Sequence, residues 1–320
     1  MKLRCQRCGV EIPEEVRFCL NCRASLIPKS TYDLTVNDFA YKPDLDAIAT
    51  MNATGPLPYI LKNLTLANLE NTMISKLSAV GQRVMYPCEL DTIMRHCAVL
   101  LSIERLPEVF IAEGDGLNAF TFGSENQVHL VIDARLLRTL TQSELMAVIA
   151  HELGHVKSGH MMYHTLAEAL GRGISLSGTL MGLEALAIPV RLALLSWHRQ
   201  SEVTADRASL LVVNEINVME SLLTKLSSVR GTAPIRQLKM ETRSTGILET
   251  ASRLFRTHPV DTDRLKLAKQ FIESQEFSRA KRKIELRQSL LRGLVPTCRF
   301  CAESKSAEDL FCPKCGRCQI

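Results

Sequence analysis

Residues 141–155 read Thr141-Gln-Ser-Glu144-Leu-Met-Ala-Val-Ile-Ala-His151-Glu152-Leu-Gly-His155. Thr-x-x-Glu ahead of an apolar run is a capping-box signature, so a helix is predicted to start here with Thr141 as N-cap. Leu145, Val148, Ile149 and Leu153 recur at helical spacing and give that helix one face for a core. His151 and His155, four residues apart, then share one side of the helix. Two imidazoles so placed can hold one metal ion, and the Glu152 between them can reach a water on it. A hydrolytic site of this kind needs a third protein ligand and one open position. Glu202 is the best candidate, in the helical stretch Glu202-Val-Thr-Ala-Asp206. Asp206 lies one turn further on the same face, where it can hydrogen-bond a ligand imidazole from behind. The competing reading of this pair is a solvated acidic face. A continuation with a third histidine ligand fails, because Val156-Lys-Ser-Gly159-His160 places Gly and His at the wrong positions.

Upstream, residues 57–80 and 88–102 carry helical periodicity. Three short β-like runs follow, 109–112, 118–122 and 128–132, separated by Gly114, Gly116, Gly123 and a polar Ser-Glu-Asn. Downstream, 165–197 is the most apolar stretch, but Glu168, Arg172, Glu184 and Arg191 break it. Its longest uncharged run is eleven residues, 173–183. A spanning helix needs about 20 predominantly apolar residues. The stretch therefore predicts a buried helical hairpin, bent near Gly182 or Pro189, with peripheral membrane contact left open. A single long helix is expected over 262–292. The fold class is α+β, mainly helical, with a small sheet edge beside the 141–155 helix.

The 320 residues carry a net charge of +5, divided unevenly. Residues 1–30 sum to +3 and 278–320 to +6, while 31–277 sum to −4. Nine of the eleven cysteines lie in the two basic ends. Cys5-x-x-Cys8 precedes Cys19-x-x-Cys22 by ten residues, and Cys298-x-x-Cys301 precedes Cys312-x-x-Cys315 by the same ten. Four thiolates on two such turns suit one tetrahedral zinc. Segments of about 20 residues cannot bury a core of their own, so metal would supply their folding energy. Two disulfides per end is the alternative. Met1-Lys-Leu-Arg-Cys5 shows no apolar leader, which favours a reducing, cytoplasmic setting and metal over disulfides. Cys318 competes with the last pair as a ligand. Cys88 and Cys97 read as small core residues, and His96, His129, His160, His164 and His198 as core or surface. The division is then a zinc ribbon at 1–27, a body at 32–275, a helical linker at 276–297 and a second ribbon at 298–320.

Thr141–His160, Ser201-Glu-Val-Thr-Ala-Asp-Arg207 and Thr257-His-Pro259 with Arg264 resemble the gluzincin metallopeptidases of the HtpX and CAAX-prenyl-endopeptidase type. The likeness is to soluble members bearing zinc-ribbon extensions. It extends over residues 32–270, including Tyr32-Asp-Leu-Thr35 and Leu117-Asn-Ala-Phe-Thr-Phe-Gly123. The resemblance implies that His151, His155 and Glu202 bind zinc, that Glu152 is the catalytic carboxylate and that Asp206 supports a ligand. It makes Asn118, Ala119 and Phe120 an edge strand that holds the substrate backbone, and turns His258 toward the oxyanion. Membrane members place spanning helices between the second and third motifs, where this chain has its interrupted stretch. One catalytic and two structural Zn2+ are expected, with polypeptide substrates. The alternative is a scaffold whose ribbons recruit nucleic acid or a protein complex. The basic run Arg279-Ala-Lys-Arg-Lys283 is its electrostatic support, although on a long helix that run reads most simply as a solvated face.

Overall fold

The computed structural model describes residues 3–12, 16–53, 74, 75, 77, 81–84, 88–113, 119–124, 127–164, 184–231 and 262–291. The expected helix at 57–80 falls mostly outside them, as do Asn118, His258 and all the C-terminal cysteines.

The capping box forms as read. Helix α4 (Gln142–Lys157) starts at Thr141, whose Oγ1 accepts from the Glu144 N–H while Glu144 Oε2 accepts from the Thr141 N–H at 2.7 Å. Glu144 also accepts from Ser221 Oγ and Lys225 Nζ, both at 2.7 Å, on helix α6 (Ile216–Gly231). Burial pushes its pKa up, but Lys225, Ser221 and Thr141 outweigh that and lower it to about 2. A depressed carboxylate stabilises the fold above its unfolded pKa near 4.5, and that contribution is lost as pH falls toward 2. Glu144→Ala therefore costs about 2–3 kcal/mol at pH 7 through the lost cap and ion pair. Urea melts of both proteins should show the gap closing between pH 4.5 and 2; a gap independent of pH contradicts this account.

The sheet has the strand order β3 (Gly81–Arg83), β4 (Glu108–Ala112), β6 (Gln127–Asp133), β5 (Ala119–Ser124). Only β4 and β6 run parallel, and β5 pairs with β6 in a hairpin aligning Thr121 with Leu130. Among the described residues β5 is a sheet edge, and its Ala119 and Phe120 are buried. Gly123, at φ +119, is required in this hairpin, because a Cβ there would lie 2.1 Å from the Gln127 carbonyl oxygen. Helix α2 (Glu89–Leu100) buries Ile93, Met94, Cys97 and Ala98 in the main core, and the short α3 (Ala134–Thr139) after β6 adds Leu136 to it.

Helix α5 (Glu184–Val213) crosses α4 closely. Gly154 permits the approach, since a Cβ on it would sit 2.7 Å from Ala208 Cβ and 3.1 Å from Ala205 Cα. The glycine inside the His151–His155 motif thus lets the Glu202 helix come near. α5 is continuous through Pro189, so the expected hairpin turn does not fall there; residues 165–183 are outside the description. No helix among the described residues is long and apolar enough to cross a membrane.

The expected helix over 262–292 is two helices, α7 (Thr262–Ile272) and α8 (Gln275–Leu291). Ser274 breaks it: its Oγ donates to the Phe271 carbonyl and accepts from the Phe277 N–H. Phe277, Ala280 and Ile284 of α8 join the main core. The basic run on α8 is not a wholly solvated face. Lys283 pairs with Asp38 at 2.7 Å and Lys281 donates to the Leu211 carbonyl, leaving Arg279 and Arg282 outward.

At the N-terminus, strands β1 (Leu3–Arg4) and β2 (Glu11–Ile12) frame a turn that is repeated at 19–24. In each, the residue after the second cysteine is left-handed, Gly9 at φ +73 and Arg23 at φ +62. The Gly9 and Arg23 N–H groups close back on the Cys5 and Cys19 carbonyls. This module is docked on the body. Ser25 N–H donates to the Glu104 carbonyl, Leu106 N–H to that of Arg23, and Phe18 enters the main core.

Candidate metal centres and active site

Helix periodicity puts His151 and His155 on one side of α4, and the close α4–α5 crossing brings Glu202 to them. His151 Nε2 and His155 Nε2 lie 3.2 Å apart. Glu202 Oε2 is 3.5 Å from the first and Oε1 3.3 Å from the second. Two ligand nitrogens on one tetrahedral zinc, at Zn–N about 2.05 Å, sit about 3.3–3.4 Å apart. The three donors thus have the spacing of a metal site.

Their far sides are also committed. His151 Nδ1 lies 3.0 Å from Asp206 Oδ1, which fixes that ring with Nε2 directed inward. Asp206 accepts from Arg264 Nε at 2.7 Å and Nη2 at 2.6 Å, and Arg264 Nη1 also lies 3.4 Å from Glu202 Oε2. His155 Nδ1 lies 2.9 Å from His160 Nδ1. His160 Nε2 in turn is 3.1 Å from Asp44 Oδ2, a carboxylate with no exposed surface that also accepts from Trp197 Nε1 and Thr204 Oγ1. A chain of polar contacts thus runs from His155 back to helix α1 (Lys42–Ala53).

Electrostatics agree with a cation at the centre. Burial disfavours charge on His151, but Asp206 and Glu202 overcome it and raise its pKa to about 10. The pocket's potential therefore favours positive charge. Burial lowers His155 to about 3, which keeps it the neutral imidazole that a metal requires. Geometry, donor types and potential all fit a divalent metal of the zinc class.

Glu152 points off the same helix toward β5. Thr121 Oγ1 donates to its Oε2 at 3.1 Å, and burial pushes its pKa up to about 7. A carboxyl near 7 can both take and return a proton at neutral pH. Solvent reaches the centre on the side of His151, whose side chain is 12% exposed against 2% for His155 and 1% for Glu202.

A second cluster lies in the N-terminal module. Cys5, Cys8, Cys19 and Cys22 are free thiols whose sulfurs all lie within 4.8 Å of one another. Cys5 Sγ–Cys22 Sγ is 3.6 Å and Cys8 Sγ–Cys19 Sγ 3.7 Å. Tetrahedral zinc at Zn–S about 2.3 Å separates its sulfurs by about 3.8 Å. Backbone N–H groups of Cys8 and Arg7 lower the pKa of Cys5, and those of Val10 with the Asn21 side chain bring Cys8 to about 6. The cluster therefore also fits a metal.

Residues 88–272, spanning both the motif helix and Arg264, match the model of peptidase family M48. The chain belongs to that family. Among its relatives, the plastoglobule-localized metallopeptidase 48, chloroplastic, of Arabidopsis thaliana is 32% identical over 211 residues. That alignment spans 64% of this chain and 60% of the relative's length, so it covers less than two thirds of that protein. Protease HtpX of Xylella fastidiosa strain M12 is 27% identical over 205 residues, 55% of this chain and 70% of the relative. The crystal structure of S. mikatae Ste24p is matched at a TM-score of 0.35 and 20% identity, over 67% of this chain and 61% of that one. Neither cysteine module lies within the M48 match.

The structure thus brings His151, Glu152, His155, Glu202 and Asp206 together and sets Ala119 and Phe120 on the neighbouring edge strand. Sequence reasoning missed Asp44, His160 and Thr121, and it attached no role to Arg264. His164 and His198, read as core or surface, also reach this region. His160 had one available signal, its spacing of five from His155 at the helix end, where the chain curls back onto the ring.

Proposed function

We propose that this M48 chain is a zinc-dependent endopeptidase acting on unfolded or flexible polypeptides. The carrying observation is the buried set of His151, His155 and Glu202, whose spacing matches one tetrahedral zinc. Bound there, zinc supplies Lewis-acid polarisation of a carbonyl and makes a water easier to deprotonate. Glu152 takes a proton from the attacking water and returns it to the amine as the C–N bond breaks. Thr121 holds one Glu152 oxygen, so the other carries the proton. Asp206 and His160 keep the two imidazoles oriented, and strand β5, an edge, takes an extended substrate by main-chain hydrogen bonds. Pairing through backbone favours unfolded segments with weak sequence preference. His258 is our candidate donor to the oxyanion, and Asn118 extends the substrate strand.

The cysteine modules we read as zinc ribbons at 1–27 and 298–320, so that one catalytic and two structural zinc ions are bound. Four thiols at metal spacing support a reducing compartment, and we place the protein in the cytoplasm. A role for the ribbons in recruiting a protein partner is compatible with peptidase activity. Nucleic acid is the weaker partner, because Lys281 and Lys283 are already engaged by the body.

Degradation of an unfolded protein such as reduced casein tests the reading. Activity should fall to background with 1,10-phenanthroline and return with added Zn2+. Activity that survives metal removal contradicts it.

A further inference from the structure

The back of the His155 ring leads to a residue outside the M48 match. Its Nδ1 lies 2.9 Å from His160 Nδ1, and His160 Nε2 lies 3.1 Å from Asp44 Oδ2. Two ring nitrogens in such contact share one proton, carried by one ring or the other. One placement suits a metal. With the proton on His155 Nδ1, its Nε2 keeps the lone pair that faces His151 and Glu202. His160 Nδ1 is then bare, so the single proton of a neutral His160 sits on Nε2 and points at Asp44.

Asp44, on α1, is placed to receive it. Trp197 Nε1 donates to Oδ1 at 2.7 Å and Thr204 Oγ1 to Oδ2 at 2.6 Å, both in the interior. The indole N–H can only donate. The Thr204 hydroxyl already accepts from the Tyr41 N–H, which leaves its own proton for the carboxylate. Burial alone would raise the Asp44 pKa, but His160, Thr204 and Trp197 outweigh that and hold it below the ordinary carboxylate value. Asp44 therefore accepts from every side. A second tie holds α1 in place, where Asn52 Nδ2 donates to the Tyr163 hydroxyl at 2.9 Å.

We propose that Asp44 is a positioning residue of the metal centre, which acts through His160 to fix His155 as the tautomer whose Nε2 is free to bind zinc. A carboxylate usually orients a ligand imidazole directly, as Asp206 does for His151. Here a second imidazole stands between them. Residues 42–53, which precede the family match at 88–272, are thereby part of the site. Asp44→Asn inverts the chain of donors. The Trp197 N–H holds the amide oxygen at the Oδ1 position, so the amide NH2 faces His160 Nε2. His160 must accept there, carry its proton on Nδ1 and donate to His155. The His155 proton then lies on Nε2, in the way of the metal.

The inference rests on His155 being a zinc ligand, as under the proposed function. Zinc affinity of the full chain, by competition with a chelator, tests it. The wild type, Asp44→Asn, Glu144→Ala and His151→Phe are compared, with thermal melts to show that each is folded. The ion lost in His151→Phe marks the peptidase centre. Asp44→Asn should bind that ion about 10–100-fold more weakly and leave the zinc of the cysteine modules unchanged. Glu144→Ala, destabilised at the cap of the same helix, should bind it as the wild type does. In metal-free protein labelled with 15N-histidine, the His155 proton should be on Nδ1 in the wild type and on Nε2 in Asp44→Asn. An Asp44→Asn affinity within about threefold of the wild type overturns the inference, as does an equal loss in Glu144→Ala. A wild-type His155 protonated on Nε2 overturns it too, whether or not Asp44→Asn folds. If His151→Phe loses no ion, the peptidase centre itself is overturned, an outcome distinct from these.

Discussion

Glu152→Gln lowers hydrolysis of an unfolded substrate by about 10³–10⁴-fold, within the usual range for losing a general base. The amide keeps the shape of the carboxyl and can still accept from Thr121, so the pocket survives. It cannot take a proton from water. Because Glu152 is not one of the three converging donors, zinc content should match that of the wild type. Stability should move the other way. Burial raises the Glu152 pKa to about 7 from an ordinary 4.5, so the folded metal-free chain holds this carboxylate at a cost whenever the pH exceeds about 4.5. A neutral amide removes that cost. Metal-free Glu152→Gln should melt at or above the wild-type temperature at pH 7.5. Retained proteolysis, or loss of zinc along with activity, would show that Glu152 has another role.

The sequence shows most clearly what depends on neighbours a few residues away. Thr141 and Glu144 predict the start of α4, and the i, i+4 spacing of His151 and His155 predicts their shared side. Gly-rich and polar breaks predict the β4, β5 and β6 strands to within a residue or two. What supports the site is assembled from distant segments and leaves no local trace. Asp44 meets His160 across 116 residues and Trp197 across 153. Its sequence setting, early in a helix, looks like an ordinary favourable placement against the helix dipole. The same blindness explains the basic run on α8, where Lys283 finds Asp38 from 245 residues away. The break at Ser274 was missed for a different reason. The apolar faces on either side are out of phase, since Phe277, Ala280 and Ile284 would fall on the opposite side of a continuous helix from Ala268 and Phe271. A one-helix reading passes over that shift because the hydroxyl that ends one helix and starts the next is a single residue.

Arg264→Met should be the most destabilising of the substitutions considered, by about 3–5 kcal/mol in the metal-free protein, the range for breaking a buried ion pair. Its guanidinium makes two hydrogen bonds to Asp206 and approaches Glu202, while all three side chains are at most 9% exposed. Methionine fills the space but leaves two carboxylates near each other with less positive charge between them. Zinc at His151, His155 and Glu202 would restore part of that charge, so the loss should be smaller in zinc-loaded than in metal-free protein. Arg264→Lys should recover little, since an ammonium cannot reproduce the two parallel bonds to Asp206. Asp206→Asn acts differently: it removes one of the two carboxylates and leaves Arg264 beside Glu202, while His151 loses the anion that orients it. That variant should cost less stability than Arg264→Met but weaken zinc binding by about 10–100-fold, as for other supports of a ligand histidine. Melting curves with and without zinc, joined to zinc affinity by competition with a chelator, separate these effects. Equal destabilisation of Arg264→Met in both states would mean that Arg264 serves the fold alone and has no electrostatic link to the metal centre.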